Sequence, residues 1–495
     1  MILPPGVVGL DLGRSHKWLR LTCRSRSGAN RASADSGRSI QNQRNTRIRK
    51  REERSMNKST LALAVAVGVL AQQAGAAGFI EDSKASVSSR TLYFNNDNHE
   101  TGKEDLRETG TGLKFDYKSG FTQGVVGFGI DAQALVGIRL DGGRGRNAGS
   151  FMPSDTDGAA VHDWSRLSGN VKALFSKTEA HVGGALAPNL PILVANDSRL
   201  LPQTFEGGTI TSKEIDNVTF NAGQLEHATG RASSNSTGLA VAGGTEDSNQ
   251  FRFAGADWKV TKDLTLQYYY ANLQDYYKQH FLGAVHVFPI SEGQSFKTDL
   301  RYFDSSSDGR NGDAGYQFNN NGGYAKHSGE VDNKTWSAMF TYTLGGSAFL
   351  LGHQQVGDDG GFVYLNQGNV VNGDGRPEGA GGASFYLFTD SMINGFVRAG
   401  ENTSFGQYSY DFASLGVPGL KASVSYLRGD DVKSATAGGS DYSEWERDMR
   451  VDYVIQQGAL KGFGTTLRQG TYRSSGAGDS QDQTRLIFNY TYNFM

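Results

Sequence analysis

From Val126 to Leu140 the even positions read Val126, Phe128, Ile130, Ala132, Ala134, Val136, Ile138 and Leu140, while the odd ones include Gly127, Asp131, Gln133 and Arg139. The same two-residue period returns in Leu264/Leu266/Tyr268/Tyr270, Phe296/Thr298/Leu300/Tyr302, Trp336/Ala338/Phe340/Tyr342/Leu344, Leu420/Ala422/Val424/Tyr426 and Val451/Tyr453/Ile455. It also closes the sequence. TRLIFNYTYNFM (484–495) sets Leu486, Phe488, Tyr490, Tyr492 and Phe494 against Arg485, Ile487, Asn489, Thr491 and Asn493. Successive side chains of a strand point to opposite faces, so strict alternation marks strands with two unlike faces. No stretch of any length carries a helical period, and the pattern predicts an all-β chain.

Those apolar faces could meet a packed core or lipid. Candidate strands of about 9–11 residues match what a tilted strand needs to cross a bilayer. Aromatic residues gather toward strand ends, as in YYYANLQDYY (268–277) and NYTYNF (489–494), where interfacial girdles lie. Charges fall on the opposite parity: Asp131, Arg139, Lys297, Asp299, Arg301, Lys421, Arg450, Asp452, Arg468 and Arg485. A Lys or Arg facing lipid at mid-membrane costs roughly 2–4 kcal/mol, whereas in a wet lumen it stays hydrated. Lipid therefore receives the apolar faces, and a closed barrel leaves no strand edge unpaired there.

Residues 77–495 are too few for a plugged transporter of ~22 strands, while 16 or 18 strands fit and leave an aqueous channel. KSGFTQG (118–124), VTKDL (260–264) and GVPGL (416–420) read as short periplasmic turns. SSSDGRNGDAG (305–315), NQGNVVNGDGRPEGAGG (366–382) and KSATAGGSDYS (433–443) read as extracellular loops. Hydrophobic residues make up 37% and glycine 66 positions, which suits one-sided strands and tight turns.

MNKSTLALAVAVGVLAQQAGAA, beginning at Met56, has Lys58 near its start, an apolar run from Leu61 to Ala71, and small residues at Ala74-Gly75-Ala76. Such a run is too short to span and reads as an export signal over 56–77. Residues 1–55, with the basic run RIRKREER, read as a non-native upstream extension, and 78–495 as a single barrel domain. Residues 1–76 hold 14 Lys+Arg and 4 Asp+Glu, so 35 basic and 47 acidic residues remain beyond them, a net of −12. That balance argues against nucleic acid as a partner. The one cysteine, Cys23, permits no intrachain disulfide and no cysteine metal site.

Several stretches, taken in order, resemble the OprD family of Gram-negative outer-membrane porins. They are GFIEDS (78–83), SSRTLYFNND (88–97), YKSGFTQGVVGFGIDA (117–132), SRLSGNVKALFSKTE (165–179), GVPGLKASVSYLRGDD (416–431), YVIQQGALKGFG (453–464) and QTRLIFNYTYNF (483–494). Most specific is PNLPILVANDSRLLPQTFEGG (188–208), which resembles the family's inward-folding third loop. The resemblance implies an 18-stranded transmembrane antiparallel β-barrel, narrowed by that constriction loop and lined by basic residues that guide small carboxylate-bearing nutrients. Arg90 matches a first-strand arginine, Lys172 a lysine after the second hairpin, Arg199 a constriction-loop position, and Arg468 and Arg485 late-strand arginines. The family pattern is thinned here by Ser425, Asp452 and Thr466.

The candidate solute path is thus Arg90, Arg139, Lys172, Asp197, Ser198, Arg199, Lys297, Asp299, Arg301, Arg450, Asp452, Arg468 and Arg485. A row of guanidinium groups offers an anion successive shallow wells. Acidic neighbours such as Asp131, Asp299 and Asp452 could hold the amino end of a zwitterion, or the charges could pair and only stiffen the wall. Tyr490, Tyr492 and Phe494 form a terminal aromatic signal for the barrel-assembly machinery, with Met495 departing from an aromatic ending.

The expected partners are small polar or anionic solutes and outer-membrane lipid, and a homotrimer is compatible with the pattern. No cofactor and no metal site is expected. His162, Asp163 and Ser165 lie close in sequence, but no G-x-S-x-G turn accompanies them, and the histidines lack metal spacing. On the residues alone, a barrel-embedded serine hydrolase and a surface adhesin or receptor stay open as alternatives.

Overall fold

The computed structural model describes residues 78–495 except 101, 103, 148, 150 and 368–382. The export signal, the upstream extension and most of the loop expected at 366–382 lie outside the described residues.

Eighteen strands build the wall: β1 (Lys84–Asn98), β2 (Leu106–Lys118), β3 (Val126–Asp141), β4 (Asp163–Phe175), β5 (Thr178–Leu186), β6 (Thr204–Ser212), β7 (Val218–Thr229), β8 (Phe251–Lys259) and β9 (Leu264–Leu273) come first. They continue as β10 (Tyr277–Ser291), β11 (Gln294–Ser307), β12 (Asp332–Leu344), β13 (Ser347–Val356), β14 (Asn402–Asp411), β15 (Leu420–Val432), β16 (Tyr442–Val454), β17 (Gly464–Ser474) and β18 (Gln481–Asn493). Each pairs antiparallel with its sequence neighbours, and β18 closes on β1 from Ser86↔Asn493 to Asn98↔Gln481. Closure satisfies every strand edge, the condition a sheet must meet in lipid. The ends differ. Turns at the end carrying both termini are short, as at Ser176–Lys177 and 292–293, while the opposite connections reach 357–401. Short turns mark the periplasmic end and long loops the extracellular end.

The alternation works as expected on the outer surface. Phe128 (45% exposed), Leu140, Leu266, Tyr268, Phe340, Val424, Val451 and Tyr492 all stand exposed. Such exposure is the arrangement that a lipid surround, rather than water, would stabilise. Strands run from 9 to 16 residues, and the longer ones exceed the ~9–11 residues that cross the hydrocarbon.

The inner surface departs from the expectation of a uniformly polar face. On β6 to β11, Phe205, Phe251, Phe253, Tyr269, Phe281 and Phe303 point inward, all buried. They form one cluster with Ile192, Leu193, Leu239, Phe362, Val363 and Leu387 from the long loops. Phe281 and Phe303 lie 4.8 Å apart, and Phe303 meets Phe362 edge-on at 5.0 Å. The core therefore sits inside the barrel, where loops fold down onto the wall. YYYANLQDYY is split by this: Tyr268 faces out, while Tyr269, Tyr276 and Tyr277 are fully buried.

Candidate functional site

The constriction loop, residues 187–203, enters the lumen between β5 and β6. Two glycines of β2 make room for it. A Cβ on Gly112 would stand 2.6 Å from the Leu200 carbonyl oxygen, and one on Gly110 would stand 2.5 Å from Leu200 Cδ1. Leu200 and Leu201 are buried against Leu92, Phe94 and Leu135 of the wall. Arg90 on β1 clamps the loop's polar side. Its Nη1 donates to Asp197 Oδ1 at 2.7 Å and to the Arg199 carbonyl at 2.6 Å, while Nε reaches Asn489 on β18.

A second inward segment, 383–400, comes from the connection between β13 and β14. Its Tyr386 carbonyl accepts from Arg301, whose guanidinium lies 3.7 Å above the Tyr386 ring. Arg301 also grips Asp299 with two hydrogen bonds, 2.9 and 3.0 Å, and Lys297 approaches Asp299 at 3.1 Å. Arg301 thus anchors a loop, and the single Asp299 carboxylate offsets one of the two cations beside it. The sequence pattern shows no sign of this segment, because many of its anchors are backbone atoms met far away in sequence.

Between the two inward segments lies a crowd of arginines. Arg450, Arg468 and Arg485 occupy directly opposed positions on β16, β17 and β18. Adjacent strands lie about 4.8 Å apart, so the three form a row around the wall. Arg199 joins from the constriction loop, and Arg231 from the connection between β7 and β8. Arg231 donates to Ser198 Oγ at 2.8 Å, and Ser198 Oγ itself donates to Asn196 Oδ1. Phe94, paired in register with Arg485, presents its ring 5.5 Å from the Arg199 guanidinium and 5.7 Å from that of Arg485. An aromatic face attracts cations and relieves part of their mutual repulsion.

Of these arginines only Arg450 forms an ion pair among the described residues, while Asp390, Asp448 and Glu446 act on the others from farther off. Arg450 is spent on Asp452, with contacts of 2.6 and 2.8 Å. Arg485 donates to the Met392 carbonyl and to Gln483 Oε1. The Arg468 side chain forms neither an ion pair nor a hydrogen bond among the described residues, and Asp448 is the charge that acts on it most strongly. The Nε atoms of Arg199, Arg231 and Arg485 are likewise buried without a partner. Burial, reinforced by the nearby charges of Arg485, Arg231 and Arg468, holds the Arg199 guanidinium well below the usual arginine range. Crowded cations of this kind are relieved by an incoming anion.

Asp390 faces them from the second segment. It shares a recess with Asp448, Arg450, Asp452 and Arg468. It is open to the lumen but walled by protein, and burial pushes its carboxyl up from the usual range, against the opposing pull of Ser384, Arg231 and Arg468.

Arg139 and Lys172 stand apart from this cluster. Arg139 bonds the Ala160 carbonyl and His162 of the 142–162 connection at the extracellular end. Lys172 is nearly buried (7% exposed), 2.8 Å from Asp131 and 4.9 Å from the Phe121 ring. Asp131 lines the wide cavity at the periplasmic end with Asn170 and His181.

The sequence from 77 to 494 matches the family model for outer membrane porin, OprD family. This chain belongs to the OprD family. It is 32% identical over 459 residues to Porin D of Pseudomonas aeruginosa, covering 88% of this chain and 98% of that protein. Among solved structures, OccK8 (OprE) of Pseudomonas aeruginosa is 45% identical, with a TM-score of 0.75 over 85% of this chain and all of the other. OpdK of the same organism, solved with vanillate, is 29% identical with a TM-score of 0.72, covering 84% of this chain and all of the other. As an OprD-family barrel the protein is an outer-membrane channel for passive diffusion of small solutes, not an enzyme. Arg231, Asp390 and Asp448 escaped sequence reading: the first two stand in irregular loops, and the last lies among other strand charges.

Proposed function

We propose that the solutes are small carboxylate-bearing nutrients, amino acids or small organic acids, conducted past the arginine row. The observation that carries this reading is Arg468, a lumen-side arginine whose side chain forms no ion pair or hydrogen bond among the described residues, set between Arg450 and Arg485. A carboxylate entering the recess would be shared in turn by Arg468, Arg199 and Arg231. At an effective dielectric constant of about 20, a charge pair 4 Å apart is worth roughly 4 kcal/mol before desolvation. Several such wells close together let a solute step from one to the next without stopping. Asp390 on the facing side would receive the ammonium end of a zwitterion. The vanillate bound in the solved OpdK structure is itself a carboxylate, which supports the class.

The outward apolar belt would be bathed by outer-membrane lipid, and a homotrimer would bury part of it between barrels. Tyr492 (58% exposed) and Phe494 (46%), with Tyr490 beside them, would present the terminal aromatic signal to the assembly machinery.

The test is conductance and reversal potential in planar bilayers under a salt gradient, with benzoate or glutamate then added as competitor. The parent should favour anions and be blocked reversibly by the carboxylate, and Arg468→Ala should lose both properties. An unchanged reversal potential and unchanged block in Arg468→Ala would remove the arginine row from the solute path.

A further inference from the structure

The lumen-facing positions of β16 read Glu444, Glu446, Asp448, Arg450 and Asp452, every second residue. The last two neutralise each other. The first three do something else. Glu446 Oε1 accepts from the Ile393 backbone N–H and its Oε2 from that of Asn394, both at 2.8 Å. Asp448 Oδ2 accepts from the Met392 N–H at 3.1 Å. Three consecutive peptide N–H groups of the second inward segment are thus captured by two carboxylates of the wall. Glu444 holds the same segment by accepting from the Asn394 side chain at Oε1 and from Arg398 at Oε2, at 2.9 Å, and Tyr472 also donates to Oε2. On the next face, Arg485 Nη2 donates to the Met392 carbonyl at 2.6 Å.

We infer that Glu446 and Asp448 are positioning residues for permeation: they dock the 388–394 segment against the wall and thereby set both the bore and the charge of the constriction. The docked segment has three consequences. It keeps Met392 buried, at 5% exposure. It fixes Phe388 against Phe405 at 4.8 Å and so aims Asp390 into the recess opposite Arg468. It also occupies Arg485, one cation of the row. Release of the segment would widen the lumen, withdraw Asp390 and free Arg485. A peptide strand without regular secondary structure holds such a position only where its backbone groups are satisfied, and here the carboxylates satisfy them. The inference rests on the barrel being a channel and not on which solute it carries.

Glu446→Gln tests it directly, because an amide can accept one N–H but must turn its own NH2 toward the other. The protein is expressed from its full sequence and isolated as the heat-modifiable barrel. Two readouts are compared: single-channel conductance, and the rate at which Met392→Cys reacts with a membrane-impermeant thiol reagent, with the Met392 parent, which carries no cysteine in residues 78–495, as the baseline. Glu446→Gln should raise conductance about twofold and labelling about tenfold, as expected when a packed segment opens locally. Ile393→Pro removes one captured N–H while keeping every carboxylate, and should move both readouts the same way. It also carries the test if Glu446→Gln fails to migrate as a folded barrel. A shift in reversal potential with conductance and labelling unchanged would make Glu446 a wall charge only and overturn the inference. So would two readouts unmoved in Ile393→Pro.

Discussion

Arg468 and Arg485 stand directly opposite one another on β17 and β18, and neither forms an ion pair among the described residues. Like charges facing across a strand pair destabilise the sheet by roughly 0.2–1 kcal/mol. The barrel retains this repulsion beside the second inward segment, whose Met392 carbonyl accepts from Arg485. Replacing Arg468 with Gln should therefore leave unfolding in urea unchanged or make the barrel more stable by up to about 1 kcal/mol. The same substitution should lower the anion-to-cation permeability ratio. Loss of stability together with unchanged permeability would mean that Arg468 works as a structural residue.

Arg90 and Asp197 separate two ways of loosening the constriction loop. Their ion pair is partly exposed, with side chains 29% and 54% accessible, so Asp197→Asn should cost no more than about 1 kcal/mol. Arg90→Ala also removes the donor to the Arg199 carbonyl, leaving a loop acceptor without its partner. We expect small changes in conductance for Asp197→Asn and larger, noisier steps for Arg90→Ala. Equal effects from the two would assign the clamp to the ion pair alone.

Asp390 supplies a pH dependence. Its carboxyl is raised chiefly by burial, so it takes up a proton at a pH above that of an ordinary aspartate. The groups facing it are Arg231 from the 230–250 connection, Arg468 from β17 and Asp448 from β16. As pH falls through its titration, a negative charge leaves the constriction and anion preference should rise. Reversal potentials measured from pH 7 down to about 4 should show this limb in the parent and a weaker one in Asp390→Asn, which starts more anion-selective. An identical pH profile in the two proteins would place Asp390 off the ion path.

Lys172 and Asp131 make the strongest stability prediction. The pair is nearly dry, 7% and 15% exposed, and His181 lies 3.7 Å from the same carboxylate. Removing one partner of a buried pair typically costs about 3–5 kcal/mol, because the other charge is stranded. Lys172→Met should lower the unfolding midpoint markedly, and Asp131→Leu added to it should recover most of the loss. Single-channel conductance of whatever folds should change far less than for the arginine-row variants.

The sequence by itself determined the wall. Alternation in Val126–Leu140, Trp336–Leu344 and Leu486–Phe494 sorts side chains onto two faces, and only a closed barrel reconciles an apolar outside with charges inside. The constriction loop was legible too, through its resemblance to a family segment. Arg450, Arg468 and Arg485 could be assigned to the lumen by parity, yet parity is silent on register. That they form one row followed from hydrogen-bonded pairing across β16, β17 and β18.

Inward aromatics such as Phe281 and Phe303 were hidden because a buried loop and a lipid tail reward the same residue types. The roles of Glu446 and Asp448 were hidden more deeply, since their partners are backbone N–H groups more than fifty residues away in sequence. Local pattern decides which face a side chain takes, because that depends on the strand's own geometry. What it meets there is decided by loops folding back from elsewhere in the chain, and only tertiary structure brings those together.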